Sequence, residues 1–171
     1  MPNKISFMHK LFLALLLALS VGAAHAALKI QHWTLANGAQ VYFVESHAIP
    51  VVDMSVEFDA GSRRDPQAKT GVSGLANAML ARGLREAKLD DGTVEPALTE
   101  AQISEAFANI AAQRGGGGGS DRAGASLRTL SSRAERDEAV QLLGRLLAQP
   151  SYPADLLSAT RHAWRRLSAK D

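Results

Sequence analysis

The feature that most constrains the fold is a pair of segments, one with strand periodicity and the next with helix periodicity. Val51–Phe58 alternates apolar and polar residues, which predicts an antiparallel strand with one solvent-exposed face. After a polar loop, Gly71–Leu84 carries apolar residues at steps of three, four and one, as one face of an amphipathic helix does. The residues of that face are Val72, Leu75, Ala76, Met79, Leu80 and Gly83. Together the segments predict a helix lying on a half-exposed sheet.

A β-hairpin is predicted before this strand. The pair Asn37-Gly38 separates two β-prone runs, Ile30–Leu35 and Ala39–Glu45. Both residues of the pair tolerate the positive φ angles that a tight hairpin turn requires. A short strand, a tight turn and a return strand are therefore expected within residues 30–45.

The residues after the first helix predict a loop and then a second helix. Arg85–Ala97 is charged and contains an Asp-Gly pair and a proline, a composition typical of a surface loop. Thr99 and Gln102 have the spacing of a capping box, which predicts a helix over Glu100–Ala112.

Five consecutive glycines, Gly115–Gly119, follow this helix. A phosphate-binding loop would need a preceding strand and a following Gly-Lys-Ser or Gly-Lys-Thr, and the sequence has neither. The run is therefore interpreted as a flexible connection from the helix to the next strand.

The last part of the chain predicts one strand and two helices. Ala123–Leu130 is the strand, and Ser132 and Glu135 form a second capping-box pattern that begins a helix ending before Pro150. A fourth helix begins after Pro153. The apolar stripe predicted for the third helix consists of Val140, Leu143, Leu146 and Leu147. This order of elements predicts an α+β fold, a mainly antiparallel sheet covered by helices on one face.

Residues 1–26 are predicted to be a secretory signal peptide. Lys4 and Lys10 form a basic start, Leu11–Val21 is an apolar run, and a small-x-small triplet ends at Ala26. Cleavage is expected between Ala26 and Ala27. A membrane anchor would need a longer apolar run of about 20 residues.

Charge and cysteine content narrow the function classes. Two of the 19 basic residues lie in the leader, which leaves 17 against 17 acidic ones, so the mature chain is formally neutral. Neutrality removes the main support for nucleic-acid binding. The absence of cysteine excludes disulfides and a lipid anchor after the leader, and it suits a bacterial periplasmic protein. A periplasmic or secreted location, with no membrane attachment after leader removal, is expected.

The order of the predicted segments resembles a known family. A Leu-x-Asn-Gly hairpin, a strand ending at Gly61-Ser62, a glycine-led helix closed by a second glycine, and a strand after a glycine-rich turn occur in succession. This succession is similar to the N-terminal domain of the insulinase/pitrilysin zinc peptidases, over about residues 30–167. The resemblance implies one such domain over residues 27–171. It also implies an incomplete C-terminus, because in the family further strands and a second domain follow.

In that family the glycine-led helix carries the inverted zinc motif His-x-x-Glu-His, whose histidines bind the metal and whose glutamate activates water. The matching positions here are Gly74, Asn77 and Ala78. Asn77 cannot act as the general base that a carboxylate provides. The family's third ligand is a glutamate on a later helix, and no glutamate follows Glu138 here. The resemblance therefore implies no catalytic residue, no metal ligand and no cofactor in this chain, with zinc held only by a partner subunit.

Other catalytic chemistry has little support in the sequence. The histidines of the mature chain, none within five residues of another, are His32, His47 and His162. The serines near loops or a helix start, none of them in a Gly-x-Ser-x-Gly elbow, are Ser62, Ser73 and Ser120. Asp121 and Asp155 are isolated acids. The chain on its own is therefore not expected to be an enzyme.

Three functions remain open. In the first, the chain is a non-catalytic periplasmic subunit that pairs with a zinc-bearing homologue in peptide degradation or processing. In the second, it is a stand-alone periplasmic module that binds extended peptides by strand addition and cuts nothing. In the third, it is a truncated, inactive remnant.

Overall fold

The computed structural model describes residues 29–168. The predicted signal peptide, with its cleavage site between Ala26 and Ala27, lies outside the described residues. The chain divides into two compact units between Ile49 and Pro50.

The described part of the first unit contains the predicted hairpin. Strand β1, Ile30–Thr34, pairs antiparallel with β2, Gln40–Val44. Gly38 supplies the positive φ, at 87°. Asn37 acts through its side chain, whose Oδ1 accepts a hydrogen bond of 3.1 Å from the backbone N–H of Ala39. The hairpin prediction is confirmed, with one glycine rather than both turn residues taking the positive φ.

The second unit contains a three-stranded antiparallel sheet. Its first strand is β3, Val51–Phe58, which is the strand that alternation predicted. Four two-residue strands follow it: β4 Gly83–Leu84, β5 Ala87–Lys88, β6 Val94–Glu95 and β7 Leu98–Thr99. Strand β8, Gln113–Gly118, and strand β9, Ala123–Leu130, complete the sheet in the order β3-β9-β8.

Four α-helices lie within residues 50–168. They are α1 Val72–Met79, α2 Glu100–Asn109, α3 Arg133–Ala148 and α4 Ala154–Ser168. Two 3₁₀ turns, Ser62–Arg64 and Gln67–Lys69, precede α1. None of the helices in residues 29–168 is long and apolar enough to cross a membrane.

The core lies between one face of the sheet and helices α2 and α3. That face carries Met54 and Val56 of β3 and the buried Ala125 and Leu127 of β9. The buried helix residues that meet it include Ile103, Phe107, Ala139, Leu142, Leu143 and Leu146. Helices on one face of an antiparallel sheet confirm the predicted α+β fold.

The other face of the sheet is exposed and polar. The Arg128 guanidinium makes two hydrogen bonds, of 2.7 and 2.8 Å, to the Asp53 carboxylate opposite it. Arg122 pairs with Glu57 at 2.6 Å on the same face. The alternation in β3 therefore separates a packed face from a charged one.

The run of glycines was predicted as a flexible connection, and that prediction is wrong. Gly115–Gly118 forms most of β8 and pairs residue by residue with β9, from Gly115 opposite Ser126 to Gly118 opposite Ala123. Glycine has a low strand propensity because it has no side chain to pack. Here the neighbouring strand β9 and helix α1 supply the contacts that the glycines cannot.

Arg85–Ala97 is also more structured than predicted. It contains the β5–β6 hairpin, and Glu95 is buried with 8% of its surface exposed. The Glu95 carboxylate lies 3.1 Å from Nε of Arg145, which is itself 8% exposed, and it accepts a hydrogen bond of 2.5 Å from Gln141. Arg145 also donates to the Pro96 carbonyl at 2.7 Å. A buried ion pair thus ties this segment to α3.

The helix predictions are correct in position and partly wrong in detail. Helix α1 ends at Met79, because Gly83 and Leu84 pair with β7 instead of continuing the helix. The Thr99–Gln102 capping box is confirmed. In α3 the Ser132 hydroxyl bonds to the Glu135 carboxylate rather than to the backbone, so the second capping box is not formed. The predicted stripe residue Val140 is 39% exposed, and Ala139 and Leu142 are buried instead.

Candidate functional site

The site is built around α1, the helix that carries the degenerate motif positions. Its N-cap residue is Gly71, at φ 90°, which has no side chain to bind the free N–H groups of the first turn. Asp65 does this from outside the helix. Its carboxylate accepts hydrogen bonds from the backbone N–H groups of Gly71, at 2.7 Å, and Ser73, at 3.1 Å.

The charge of Asp65 is favoured in this position. Partial burial acts to raise the pKa of Asp65, but the backbone N–H groups that bond to its carboxylate lower it by more, so the net pKa lies below the ordinary aspartate value. A negative charge at the helix N-terminus also complements the helix dipole. The start of α1 is therefore fixed by an ionised carboxylate.

The three motif positions lie on this helix with little chemistry between them. Asn77 Nδ2 donates a long hydrogen bond, 3.4 Å, to the carbonyl of Gly124 in β9. Ala78 is exposed, and Gly74 is half-buried. Only the asparagine carries a polar side chain, and that group is used to attach the helix to the sheet.

A cavity of about 280 Å³ lies beside Asn77 and Ala78. Helix α1, strands β8 and β9 and helix α3 line it. Its lining residues are Asn77, Ala78, Leu80, Ala81, Arg114, Gly115, Gly116, Gly124, Ala125, Leu143, Leu146 and Leu147. The cavity is thus apolar on the α3 side and formed by backbone on the β8 side.

Helix α4 lies against α1. The hydroxyl of Thr160 is 3.7 Å from the sulfur of Met79, the residue that follows Ala78. In the family that the sequence resembles, a later helix near this position carries the third metal ligand. Among the described side chains of α4, Thr160 brings a hydroxyl rather than a carboxylate to this helix.

The residues present do not fit a zinc ion. Zinc needs several imidazole, thiolate or carboxylate ligands, whereas Gly74 and Ala78 have no ligand atom and Asn77 offers a neutral amide. Across residues 29–168, no three His, Cys, Asp or Glu side chains lie close enough together to hold a metal ion. That the chain binds no zinc and uses no cofactor stays a prediction for solution measurement.

The other candidate residues are dispersed. His32 stacks on Tyr42 across the hairpin with ring centroids 5.7 Å apart, and the His47 imidazole lies 3.1 Å from the Glu45 carboxylate. His162 is exposed on α4. The Ser120 hydroxyl bonds to the adjacent Asp121 at 3.3 Å. Among the hydrogen bonds of the described part of the chain, none joins a serine to a histidine.

Sequence reasoning missed the edge strand β8 as a site element. The turn after it is closed by a hydrogen bond of 2.8 Å from Gly119 N–H to the Arg122 carbonyl. Because antiparallel pairs alternate between bonded and non-bonded, the peptide groups of Arg114, Gly116 and Gly118 point away from β9. A run of glycines gives no side-chain periodicity, so no sequence pattern could have shown this edge.

Gly116 is required by close approach of β9. A Cβ at this position would lie 2.7 Å from the Gly124 carbonyl oxygen. Any side chain would push β8 away from β9, and the cavity lies between those strands and α1. The glycine therefore sets the spacing of the site.

Comparison with known proteins shows which solved structures share this fold. No protein-family model matches the sequence, and no curated protein matches it. Among solved structures, the chain is similar to a peptidase M16 inactive domain from Pseudomonas fluorescens, with 35% identity and a TM-score of 0.69. That match covers 80% of this chain and 30% of the other.

A protease from Helicobacter pylori shares the fold, with a TM-score of 0.59 and 17% identity, over 75% of this chain and 28% of that one. The chain therefore spans less than a third of the length of either structure. The resemblance to the insulinase-type peptidases is confirmed by this match, at 35% identity, to a peptidase M16 inactive domain. Its sequence similarity is to a domain of that family described as inactive.

Proposed function

We propose that this chain is a non-catalytic M16-type module that pairs, in the periplasm, with a zinc-bearing homologous subunit engaged in peptide degradation or processing. The main observation behind the proposal is that the helix which carries the zinc motif in the family is present here, but the motif residues are not. Helix α1 lies in an M16-type fold, and Gly74, Asn77 and Ala78 stand where the family's ligands and base would be.

The contacts around α1 support a role in binding a partner or substrate rather than a role in catalysis. Asp65 fixes the start of the helix and Asn77 attaches it to β9, so the helix has contacts of its own without a metal. The Pseudomonas fluorescens structure, described as an inactive domain, offers a relative of the same kind. In the proposed pair, the partner supplies the zinc and this chain supplies part of the substrate-binding surface.

The periplasmic location rests on the leader and on composition. A basic start, an apolar run and a small-x-small triplet at Ala26 are the three regions of an export signal. The chain has no cysteine, so export exposes no thiol to oxidation. The mass of the chain recovered from the periplasm tests this, since a mature N-terminus other than Ala27 contradicts the cleavage site.

The pairing is tested with the mature chain and an M16 homologue from the same organism that carries His-x-x-Glu-His. We expect a one-to-one complex in sedimentation and faster peptide hydrolysis than by the homologue alone. The mature chain alone should hydrolyse no peptide. The triple substitution Gly74→His, Asn77→Glu and Ala78→His should not restore activity, because the third acidic ligand on the later helix is still missing.

Two results would contradict the proposal. One is a homologue that works at the same rate with and without this chain, and shows no complex. The other is hydrolysis by the mature chain alone that a chelator removes. Substitution of the homologue's own glutamate serves as the control, because it should abolish the activity of the complex.

A second candidate function is peptide binding by strand addition, and the edge of β8 favours it. The peptide groups of Arg114, Gly116 and Gly118 point outward, and the glycines leave no side chain in the way of an added strand. Such an edge pairs readily with an extended segment. Here the isolated monomer would bind peptides and cut nothing.

The matched variants Gly118→Pro and Gly118→Ala test this candidate. A Cβ at Gly118 meets only the Ala123 Cβ, at an ordinary 3.8 Å, so the Cβ that both variants add has room. Proline removes the outward N–H, and alanine keeps it. We expect weaker binding of an extended peptide by the proline variant alone. Equal binding by both, with unchanged melting curves, would exclude strand addition at β8.

A further inference from the structure

We propose that the loop before α1 and the turn between β8 and β9 form a clamp, through which the start of α1 and the turn open and close together. The loop, here called the entry loop, is residues 59–65, and the β8–β9 turn is residues 119–122. The proposal concerns the chain itself and requires neither a zinc-bearing homologue nor a bound peptide. It begins from contacts between these two segments, which are far apart in the sequence.

Backbone hydrogen bonds join the entry loop to the β8–β9 turn. The N–H of Ser62 donates to the Gly119 carbonyl at 3.0 Å. The N–H of Arg63 donates to the Ser120 carbonyl at 2.9 Å. The Arg63 guanidinium also lies 2.9 Å from the Asp121 carboxylate, but both side chains are largely exposed, so this ion pair contributes little. The clamp is therefore held chiefly by the backbone.

Gly61 permits the close approach of the two segments. It is buried, although Ser62 and the two residues after it are exposed. A Cβ at Gly61 would overlap the carbonyl group of Ser120, which is backbone and cannot rotate away as a side chain can. Any side chain at position 61 would therefore force the entry loop away from the β8–β9 turn.

The entry loop also holds the start of α1. The N–H of Asp65 donates to the Ser62 carbonyl at 3.1 Å, so a single 3₁₀ turn separates Asp65 from the contacts with the β8–β9 turn. The Asp65 carboxylate accepts the hydrogen bonds from Gly71 and Ser73. Because Gly71 has no side chain to cap the helix, the start of α1 depends on where the entry loop holds Asp65.

A continuous series of hydrogen bonds thus runs from the β8–β9 turn to α1. When the entry loop leaves the turn, Asp65 loses its fixed position and the first turn of α1 loses its cap. Segments that share contacts in this way open cooperatively, and coupling between two positions is reciprocal. The β8–β9 turn is exposed, so a partner that contacts it would stabilise α1 without touching the helix.

Amide hydrogen exchange of the mature chain, measured by NMR, tests the clamp. The amides of Gly71 and Ser73, which bond to Asp65, report on the start of α1. The amide of Gly119, which donates to a carbonyl within the β8–β9 turn at 2.8 Å, reports on the turn. The amide of the buried Ala112 is the reference for opening of the whole chain.

The matched variants Ser62→Pro and Ser62→Ala break the clamp at the turn. Proline removes the N–H that bonds to the turn, and alanine keeps it. Gly61, at φ −86° and ψ 171°, has the extended backbone that a residue before proline requires, and the φ of a 3₁₀ turn is close to that of proline. We expect Ser62→Pro to speed exchange at the start of α1 about fivefold, with the reference amide unchanged. Ser62→Ala should change neither.

Asp65→Ala is the reverse test, because it removes the cap of α1 without touching the β8–β9 turn. The clamp predicts about fivefold faster exchange of the Gly119 amide in this variant. Gly61→Ala should speed exchange at both ends of the clamp. Its control is Gly117→Ala, whose Cβ meets no atom within 4 Å, and which should leave the start of α1 unchanged.

Two results would overturn the proposal. One is that Ser62→Pro changes exchange only in the β8–β9 turn and Asp65→Ala only at the start of α1. The other is equal acceleration at Ala112, because the two ends would then open only with the whole chain. If Gly61→Ala does not fold, the variants at Ser62 and Asp65 decide the question.

Discussion

Helices α1 and α3 belong to the same unit but are stabilised in different ways. Helix α1 has eight residues, and its one buried side chain is Met79. Helix α3 has sixteen residues and buries five of them. These five residues are Ala139, Leu142, Leu143, Arg145 and Leu146.

The polar contacts of the two helices differ as well. Helix α1 depends on Asp65, a residue outside it, whereas α3 contributes Arg145 to a buried ion pair with Glu95. Of the motif positions of α1, Ala78 is exposed and Gly74 and Asn77 are half-buried, and none of the three belongs to the buried core cluster. Their side chains can be lost without loss of the fold, which explains how an M16-type domain survives with Gly74 and Ala78.

The largest effect is expected at the buried ion pair. Arg145→Met leaves the Glu95 carboxylate buried without its cation, which should lower the free energy of unfolding by about 3–5 kcal/mol. The double variant Glu95→Leu with Arg145→Met should lose much less, because no charge is left unpaired. Denaturant unfolding of the mature chain measures the free energy of unfolding of both variants. If Arg145→Met alone stays within about 1 kcal/mol of the parent, far less than the cost of an unpaired buried charge, the ion pair is dispensable.

A slightly smaller effect is expected in the apolar part of α3. Leu143 is 3% exposed in the core, so Leu143→Ala should lower the free energy of unfolding by about 3 kcal/mol. The exposed neighbour Val140, replaced by alanine, is the control and should change stability little.

A pH-dependent effect is expected at Asp65. Its pKa is lower in the folded chain than in the unfolded chain, so its contribution is complete above the unfolded aspartate value, near pH 4, and is lost as the pH falls through the folded value. Asp65→Asn should therefore destabilise the chain at neutral pH and reduce the loss of stability on acidification. Melting temperatures from pH 7 down to pH 3 check this. Asp53 is the residue with which Asp65 is compared. Its pKa is also lowered, chiefly by the hydrogen bond from Arg128.

The smallest effect is expected at the motif itself. Ala78→Leu lies on an exposed helical position and should change the free energy of unfolding by no more than about 0.5 kcal/mol. A much larger loss, measured by the same denaturant unfolding, would mean that the motif positions contribute to the core. The contrast drawn between α1 and α3 would then be incorrect.

Much of the fold was predictable from local patterns. Val51–Phe58 and Ala123–Leu130 were predicted residue for residue, because strands beside a packed core bury side chains alternately. The Thr99 capping box gave the start of α2. The resemblance to the insulinase-type peptidases, through the order of such elements, located the degenerate positions on α1.

The other features of the fold and of the site could not be predicted from local sequence patterns. Glu95 and Arg145 are distant in sequence, so their burial as a pair has no local signature. The glycines of β8 show no periodicity, and their strand depends on pairing with β9. The cavity beside Asn77 combines residues of two helices and two strands, which only the tertiary structure brings together.

The most direct test of the proposed function is the zinc content of the complex between the mature chain and its zinc-bearing homologue. The complex is purified, dialysed and analysed for metal and for peptide hydrolysis. The account predicts one tightly bound zinc per pair of chains and no hydrolysis once the homologue's zinc motif is substituted. A second zinc that follows this chain, or hydrolysis that survives that substitution, would contradict it.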